Sequence, residues 1–210
     1  ITTFRSDLYD GVTRNPEVTF GDTLEGDLVR RDFACNAMAI ELSLDDDLRL
    51  SPTFHDPVDG LSDLVAQVLD TPQAPEVSFR DDPLRMLRAA RFVSQLGFTV
   101  ADRVFDAMRD MAGEIDRITA ERVQAELDKL MCGARPWEGI DLLVATGLAD
   151  HILPEVPALQ LETDEHMQHK DVYRHSLTVL RQATELEEDG PDLELRWAAL
   201  LHDIGKPATR

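Results

Sequence analysis

No stretch of this 210-residue chain is apolar for long enough to cross a bilayer. A span needs roughly 20 such residues in a row, and the longest apolar runs, such as 197–201, are far shorter. The start lacks the charged-then-apolar pattern of a secretory signal, so a cytoplasmic protein without a membrane role is expected. Cysteine is scarce. Cys35 and Cys132 lie far apart, which excludes a paired-thiolate metal site and fits a reducing compartment. Basic residues are also few: 21 Lys and Arg stand against 41 Asp and Glu, for a net charge of −20. That balance disfavours bulk attraction to nucleic acid or anionic lipid, so any nucleic-acid site must be a local basic patch. A starting Met is missing too. Ile1-Thr2-Thr3-Phe4 reads as the middle of a strand, and an internal piece of a longer protein is expected.

What is present suits a globular protein. The chain is 43% hydrophobic and 30% charged, and its length predicts one large domain or two small ones. Residues up to Arg5 read as a strand and 6–27 as a polar loop. Stretches 36–44 and 48–54 read as a hairpin around Asp45-Asp46-Asp47. From 61 onward the periodicity is helical. A short helix is predicted at 61–69 and a linker at 71–75. A longer helix starts at Asp82-Pro83, an acidic cap followed by proline, and runs to Gly97 with Met86, Ala89, Val93 and Leu96 on one face. Further helices are predicted at 101–112, 119–131, 136–146, 171–188 and 192–203. A small sheet followed by a helical array is an α+β fold, divided here as 1–70, 71–135 and 136–210.

Three constellations carry chemistry. Arg30, Arg31 and Asp32 sit together where a loop meets a strand. Planar guanidinium forks suit phosphate and a carboxylate suits a ribose hydroxyl; the plainer alternative is a surface ion pair. Asp82 offers only acceptors and Arg85 only donors, three residues apart on one helix face. Such a pair can imitate a Watson–Crick edge, or it can be a capping aspartate beside an arginine. His175 with His202-Asp203 provides imidazole and carboxylate ligands for a divalent metal, or a helix end with a partial site. His166 and His169 are either extra ligands or solvated loop residues.

The stretch Arg30-Arg31-Asp32-Phe33-Ala34-Cys35-Asn36-Ala37 closely resembles the RRDFTxNA motif of the class II tRNA nucleotidyltransferase and bacterial poly(A) polymerase family. Three further motifs follow in the family's order. Asp56-Pro57-Val58-Asp59-Gly60-Leu61-Ser62-Asp63-Leu64 is similar to DPxxGxxDL. The run from Asp81 to Phe92 is similar to EDPLRxLRAxRF, with Asp81 where the family more often has Glu. Arg122 to Leu127 is similar to RxxxEL. His202-Asp203-Ile204-Gly205-Lys206 resembles an HD phosphohydrolase motif, which some of these enzymes carry.

The resemblance implies part of a polymerase-β-like head, a helical neck and the start of an HD-type domain. It implies addition of CCA to tRNA 3′ ends from CTP and ATP, with a protein template. Arg30, Arg31, Asp32 and Asn36 would hold triphosphate and sugar, and Asp82 and Arg85 would read the base. Arg88 would contact phosphate or stack on the base. Arg122 and Glu126 would organise that pocket, with Glu126 holding Arg85. The carboxylates for Mg2+ at the transfer site are expected upstream of Ile1; Asp45-x-Asp47 reads as a solvated turn instead. His175, His202 and Asp203 would be the metal ligands of the HD site, whose later Asp is not in the chain. The loop 9–16 is not shortened, which favours a full CCA-adding enzyme over a CC-only one. The alternatives are a poly(A) polymerase of the same family and a metal-dependent phosphohydrolase.

Overall fold

The computed structural model describes residues 5–8, 17–20, 23–44, 49–161 and 172–206. The chain forms two compact units, Ile1–Asp81 and Asp82–Arg210.

In the first unit, β1 (Arg5–Leu8) pairs antiparallel with β2 (Glu17–Phe20), and α1 (Leu24–Val29) follows. The expected loop over 6–27 is thus corrected. These elements are four to six residues long, below the window in which periodicity registers. The Thr23 hydroxyl starts α1 by accepting from the Gly26 amide at 3.1 Å, an N-cap. The predicted strand over 36–44 starts later. Phe33 and Ala37 are both fully buried, and a 3₁₀ turn over Ala34–Asn36 joins them. β3 (Ala39–Leu44) then pairs antiparallel with β4 (Leu50–His55), Ala39 facing His55. The acidic turn 45–47 and the opening residues 1–4 lie outside the described residues, as do the loop 9–16, His166 and His169.

The helix α2 (Gly60–Ala66) is seated by Asp56, whose two oxygens accept from the Gly60 and Leu61 amides at 2.7 and 2.9 Å. Gly60 lies directly on the backbone of Ala34. A Cβ there would come within 2.6 Å of the Ala34 carbonyl carbon, so the glycine of one motif is what lets it rest on the other. The predicted linker at 71–75 ends in a missed helix, α3 (Pro75–Asp81), which opens on proline, a residue preorganised for a first helical turn. Leu28, Phe33, Leu69 and Phe79 are buried in this unit.

In the second unit, α4 (Leu84–Leu96) starts after Pro83 and is closed by Gly97 at φ 68°, a left-handed terminus that glycine adopts freely. Met86, Ala89 and Val93 are buried as expected; Leu96, in the last turn, is 49% exposed instead. α5 (Asp102–Asp110), a 3₁₀ stretch (Ala112–Arg117), α6 (Ala120–Met131) and α7 (Pro136–Ala145) follow. Two short helices were not predicted, α8 (Leu148–Ile152) and α9 (Glu155–Ala158). α10 (Val172–Glu185) and α11 (Leu193–Leu201) complete the unit. α4 packs on α6 and α7, and α10 on α7 and α11. Ser94 ties α4 to α6 by donating to the Leu130 carbonyl at 2.6 Å, and the Tyr173 hydroxyl ties α10 to α7 by donating to Asp141 at 2.8 Å.

Arg196 on α11 is almost wholly buried, and each of its three guanidinium nitrogens is bonded. Its Nε and Nη2 donate to the two oxygens of Glu187 at 2.8 and 2.6 Å. Its Nη1 donates to the carbonyls of Met131 and Gly133, the end of α6, at 2.5 and 2.6 Å. No helix among the described residues is long and apolar enough to cross a membrane.

Candidate nucleotide and metal sites

The head motif is organised around a residue the sequence reading passed over. Asp27, on α1, is 7% exposed. One of its oxygens meets Arg30 Nη2 at 2.5 Å and the other meets Arg31 Nη2 at 3.0 Å. Three and four residues is helical spacing, so a helix at 24–29 would have exposed this pairing in the sequence. Asp32 turns inward, and its Oδ1 accepts from the Phe33 amide at 3.0 Å and from Asn36 Nδ2 at 3.4 Å. The expected residues Arg30, Arg31, Asp32 and Asn36 are therefore brought together on one short segment. Its ends are fixed as well: Gln73 Nε2 donates to the Val29 carbonyl at 3.3 Å and the Ala34 amide donates to the Asp70 carbonyl at 2.8 Å. Burial, and then the negative charges of Asp32 and Asp63, push the Cys35 thiol up to about 11, so it stays protonated at neutral pH. A separate groove of about 760 Å³ between α1 and the β3–β4 hairpin is lined by Leu24, Leu28, Ile40, Phe54 and His55 among others, and by none of the expected nucleotide contacts.

In the second unit, Asp82 immediately precedes α4 and Arg85 lies in its first turn. Asp82 makes the contacts of a capping aspartate paired with an arginine. Its Oδ1 accepts from the Leu84 amide at 3.2 Å, a capping bond, while its Oδ2 lies 3.4 Å from Arg122 Nη2 on α6. Arg85 and Arg88 are half-buried on the same helix. Glu126 is 5% exposed and pairs with Arg91 at 3.1 Å and Lys129 at 3.0 Å. Lys129 is a contact the sequence reading missed. Arg91 falls in the EDPLRxLRAxRF stretch, and Lys129 stands three residues beyond Glu126, both legible signals.

The third constellation also assembles. His175 on α10 meets His202 and Asp203 at the end of α11, and one ligand atom from each lies within 4.8 Å of the others. The two rings are edge-on with centroids 5.3 Å apart. His202 Nδ1 lies 2.8 Å from the Ala199 carbonyl. A carbonyl can only accept, so that nitrogen carries the proton and Nε2 keeps its lone pair in the neutral ring. Nε2 in turn lies 3.1 Å from Asp203 Oδ2. Two acceptors facing one another suit a cation between them, and the donor set fits a divalent metal. Lys206, the lysine of the HDIGK string, also reaches Asp203 Oδ2 at 2.9 Å. Burial alone would raise the Asp203 carboxyl, but the Lys206 hydrogen bond, the Lys206 charge and, whenever their rings are protonated, the charges of His202 and His175 outweigh it and hold the carboxyl below its ordinary value.

Residues 1–70 match the family described as "Poly A polymerase head domain", 97–159 match "Probable RNA and SrmB- binding site of polymerase A", and 172–210 match "HD domain". These are the parts of a nucleotidyltransferase with an appended HD domain, and the chain belongs to the family of tRNA nucleotidyltransferases and poly(A) polymerases. It is 39% identical over 204 residues to the A-adding tRNA nucleotidyltransferase of Deinococcus radiodurans, covering 95% of this chain and 44% of that protein. It is 40% identical over 210 residues to the multifunctional CCA protein of Ectopseudomonas mendocina, covering 96% and 47%. Among solved structures, the Bacillus stearothermophilus CCA-adding enzyme in complex with CTP matches with a TM-score of 0.67 and 31% identity, over 97% of this chain and 43% of that one. The chain spans about half the length of the curated relatives it matches.

Proposed function

We propose that the whole protein adds CCA to the 3′ end of tRNA from CTP and ATP, choosing each nucleotide with protein groups instead of a nucleic-acid template. The observation that carries this reading is the placement of Asp82 and Arg85 at the mouth of α4, an acceptor and a donor one turn apart, with Arg122 beside the carboxylate. Asp82 and Arg85 read the edge of the base, and Arg88 on the same helix contacts phosphate or the base face. Arg122 steadies Asp82, and Glu126 joins α6 to α4 through Arg91. Arg30 and Arg31 take the triphosphate and Asp32 and Asn36 line the sugar side. Nucleotidyl transfer draws on divalent ions such as Mg2+ to activate the 3′-hydroxyl and neutralise the triphosphate; these residues bind and orient. His175, His202 and Asp203 would hold a second divalent ion, which would supply phosphohydrolase chemistry. The proposed parts are a head at 1–70, a neck at 71–135 and an HD-containing body at 136–210, in a cytoplasmic protein.

The test is an assay of the full-length protein with CTP, ATP and tRNAs ending before the first C, after one C and after two. The reading expects all three to be extended to CCA, and Asp82→Ala or Arg85→Ala to scramble nucleotide choice. A good bidentate contact to a base is worth roughly 1–3 kcal/mol of discrimination, on the order of 5- to 150-fold. The likeness to the Deinococcus radiodurans protein favours a second reading, terminal A addition alone. Extension of only the tRNA that already ends in two Cs selects it. Loss of all activity in His202→Ala with none in Arg85→Ala would select a phosphohydrolase instead.

A further inference from the structure

We infer that Asp27 is a positioning residue for the triphosphate: its buried carboxylate holds the Arg30 and Arg31 guanidiniums in their binding poses before nucleotide arrives. The inference rests on the reading that Arg30 and Arg31 take the triphosphate. Adjacent arginines ordinarily repel one another and rotate freely. Here each gives one Nη2 to a different oxygen of the same side chain, at 2.5 and 3.0 Å. Arginine has five N–H donors, and a bond to Asp27 through one of them restrains where each guanidinium sits. Asp27 is 7% exposed while the Arg30 and Arg31 side chains are 29% and 44% exposed, so the pairs are anchored at the acid and open to solvent at the arginines. The backbone is equally constrained, with Leu28 and Phe33 buried on either side of the arginines and the Val29 and Ala34 backbone groups bonded to Gln73 and Asp70.

Charge and geometry predict opposite signs. Asp27 places a negative charge beside an anion site, so by Coulomb's law alone removing it tightens phosphate binding. If its role is to hold two long side chains still, removing it forces the nucleotide to order both, which weakens binding by about 10-fold. The experiment is calorimetric titration of the full-length protein with inorganic tripolyphosphate and with ATP, in wild type, Asp27→Asn, the double variant Arg30→Gln/Arg31→Gln, and the triple variant. The expected result is a loss of about 10-fold in Asp27→Asn that vanishes in the double-variant background. Equal or tighter binding by Asp27→Asn, with the double variant weakened, overturns the role of Asp27 and leaves the reading of the arginines standing. Unchanged binding by the double variant overturns that reading and the inference with it. Should Asp27→Asn fail to fold, the wild type carries the test by 15N NMR of arginine side chains. Resolved Nη–H resonances of Arg30 and Arg31, assigned through Arg→Lys variants, are expected in the free chain. Their emergence only on addition of tripolyphosphate overturns the inference.

Discussion

Replacing Arg196 with Met tests how the second unit is held together. The side chains of Arg196 and Glu187 are 5% and 6% exposed, so the pair is removed from water. Methionine keeps most of the length and apolar bulk but none of the donors. Glu187 is then left buried without its bidentate partner, retaining the Asp192 amide at 2.8 Å, and the Met131 and Gly133 carbonyls lose a shared donor. Breaking a buried pair from one side costs roughly 3–5 kcal/mol, and two stranded carbonyls push the loss to the upper end, about 5 kcal/mol. For a unit of this size that lowers Tm by roughly 15–25 °C. The pH dependence gives an independent check. Hydrogen bonds from Arg196, against the opposing effect of burial and with help from the Asp192 amide, hold the Glu187 carboxyl below its ordinary value. In the wild type this stabilisation is present above the unfolded pKa of about 4.3 and is lost as pH falls through the lower folded value. In Arg196→Met the carboxyl is buried without its cation, so its folded pKa moves up and acidification relieves the defect. Urea denaturation followed by circular dichroism at pH 7.5 and 5 measures both. A variant within about 1 kcal/mol of wild type at pH 7.5, or a gap that does not narrow on acidification, would refute the reasoning.

Gly60→Ala should destabilise the first unit by about 1–3 kcal/mol through overpacking against Ala34, read as a lower urea midpoint, whereas alanine at the exposed Gly205, which has nothing within 4 Å of a Cβ, should change little. With its thiol near 11, Cys35 should react with a disulfide reagent at pH 8 only as the chain unfolds, while the exposed Cys132 reacts at once; because the folded thiol keeps a proton that the unfolded one releases, stability should fall as pH climbs from about 9.0 toward 11. His202→Ala should abolish tight binding of Mn2+ or Zn2+ measured by calorimetry and leave the binding of CTP unchanged, since the proposed metal ligands and the proposed base-reading pair share no residue; weakened CTP binding would count against separate sites.

Local signals located most of the helices and the candidate ligands. Asp82-Pro83 and Gly97 bracket α4 because capping, proline and left-handed termini are properties of single positions. The RRDF and HD strings are contiguous, so their residues had to end up close together. The missed features depend on partners distant in sequence or on elements too short to show a period. α1 is six residues long inside a polar stretch, and without it Asp27 has no visible link to the arginines. The burial of Arg196 follows from two carbonyls more than sixty residues earlier, which no hydropathy pattern encodes. Glu126 was legible as an anchor, yet the cations recorded on it are Arg91 and Lys129, a choice made by how α4 crosses α6.

The grip of Arg196 on the end of α6 has a consequence for how such a protein can change. The arginine belongs to the same helix that ends in His202 and Asp203, and what it grasps is the tail of the helix carrying Arg122 and Glu126. Losing α11 would take away the buried brace on the end of α6 together with the proposed metal ligands that follow it. The HD-matching segment is thus carpentry for its neighbour, whatever chemistry it carries.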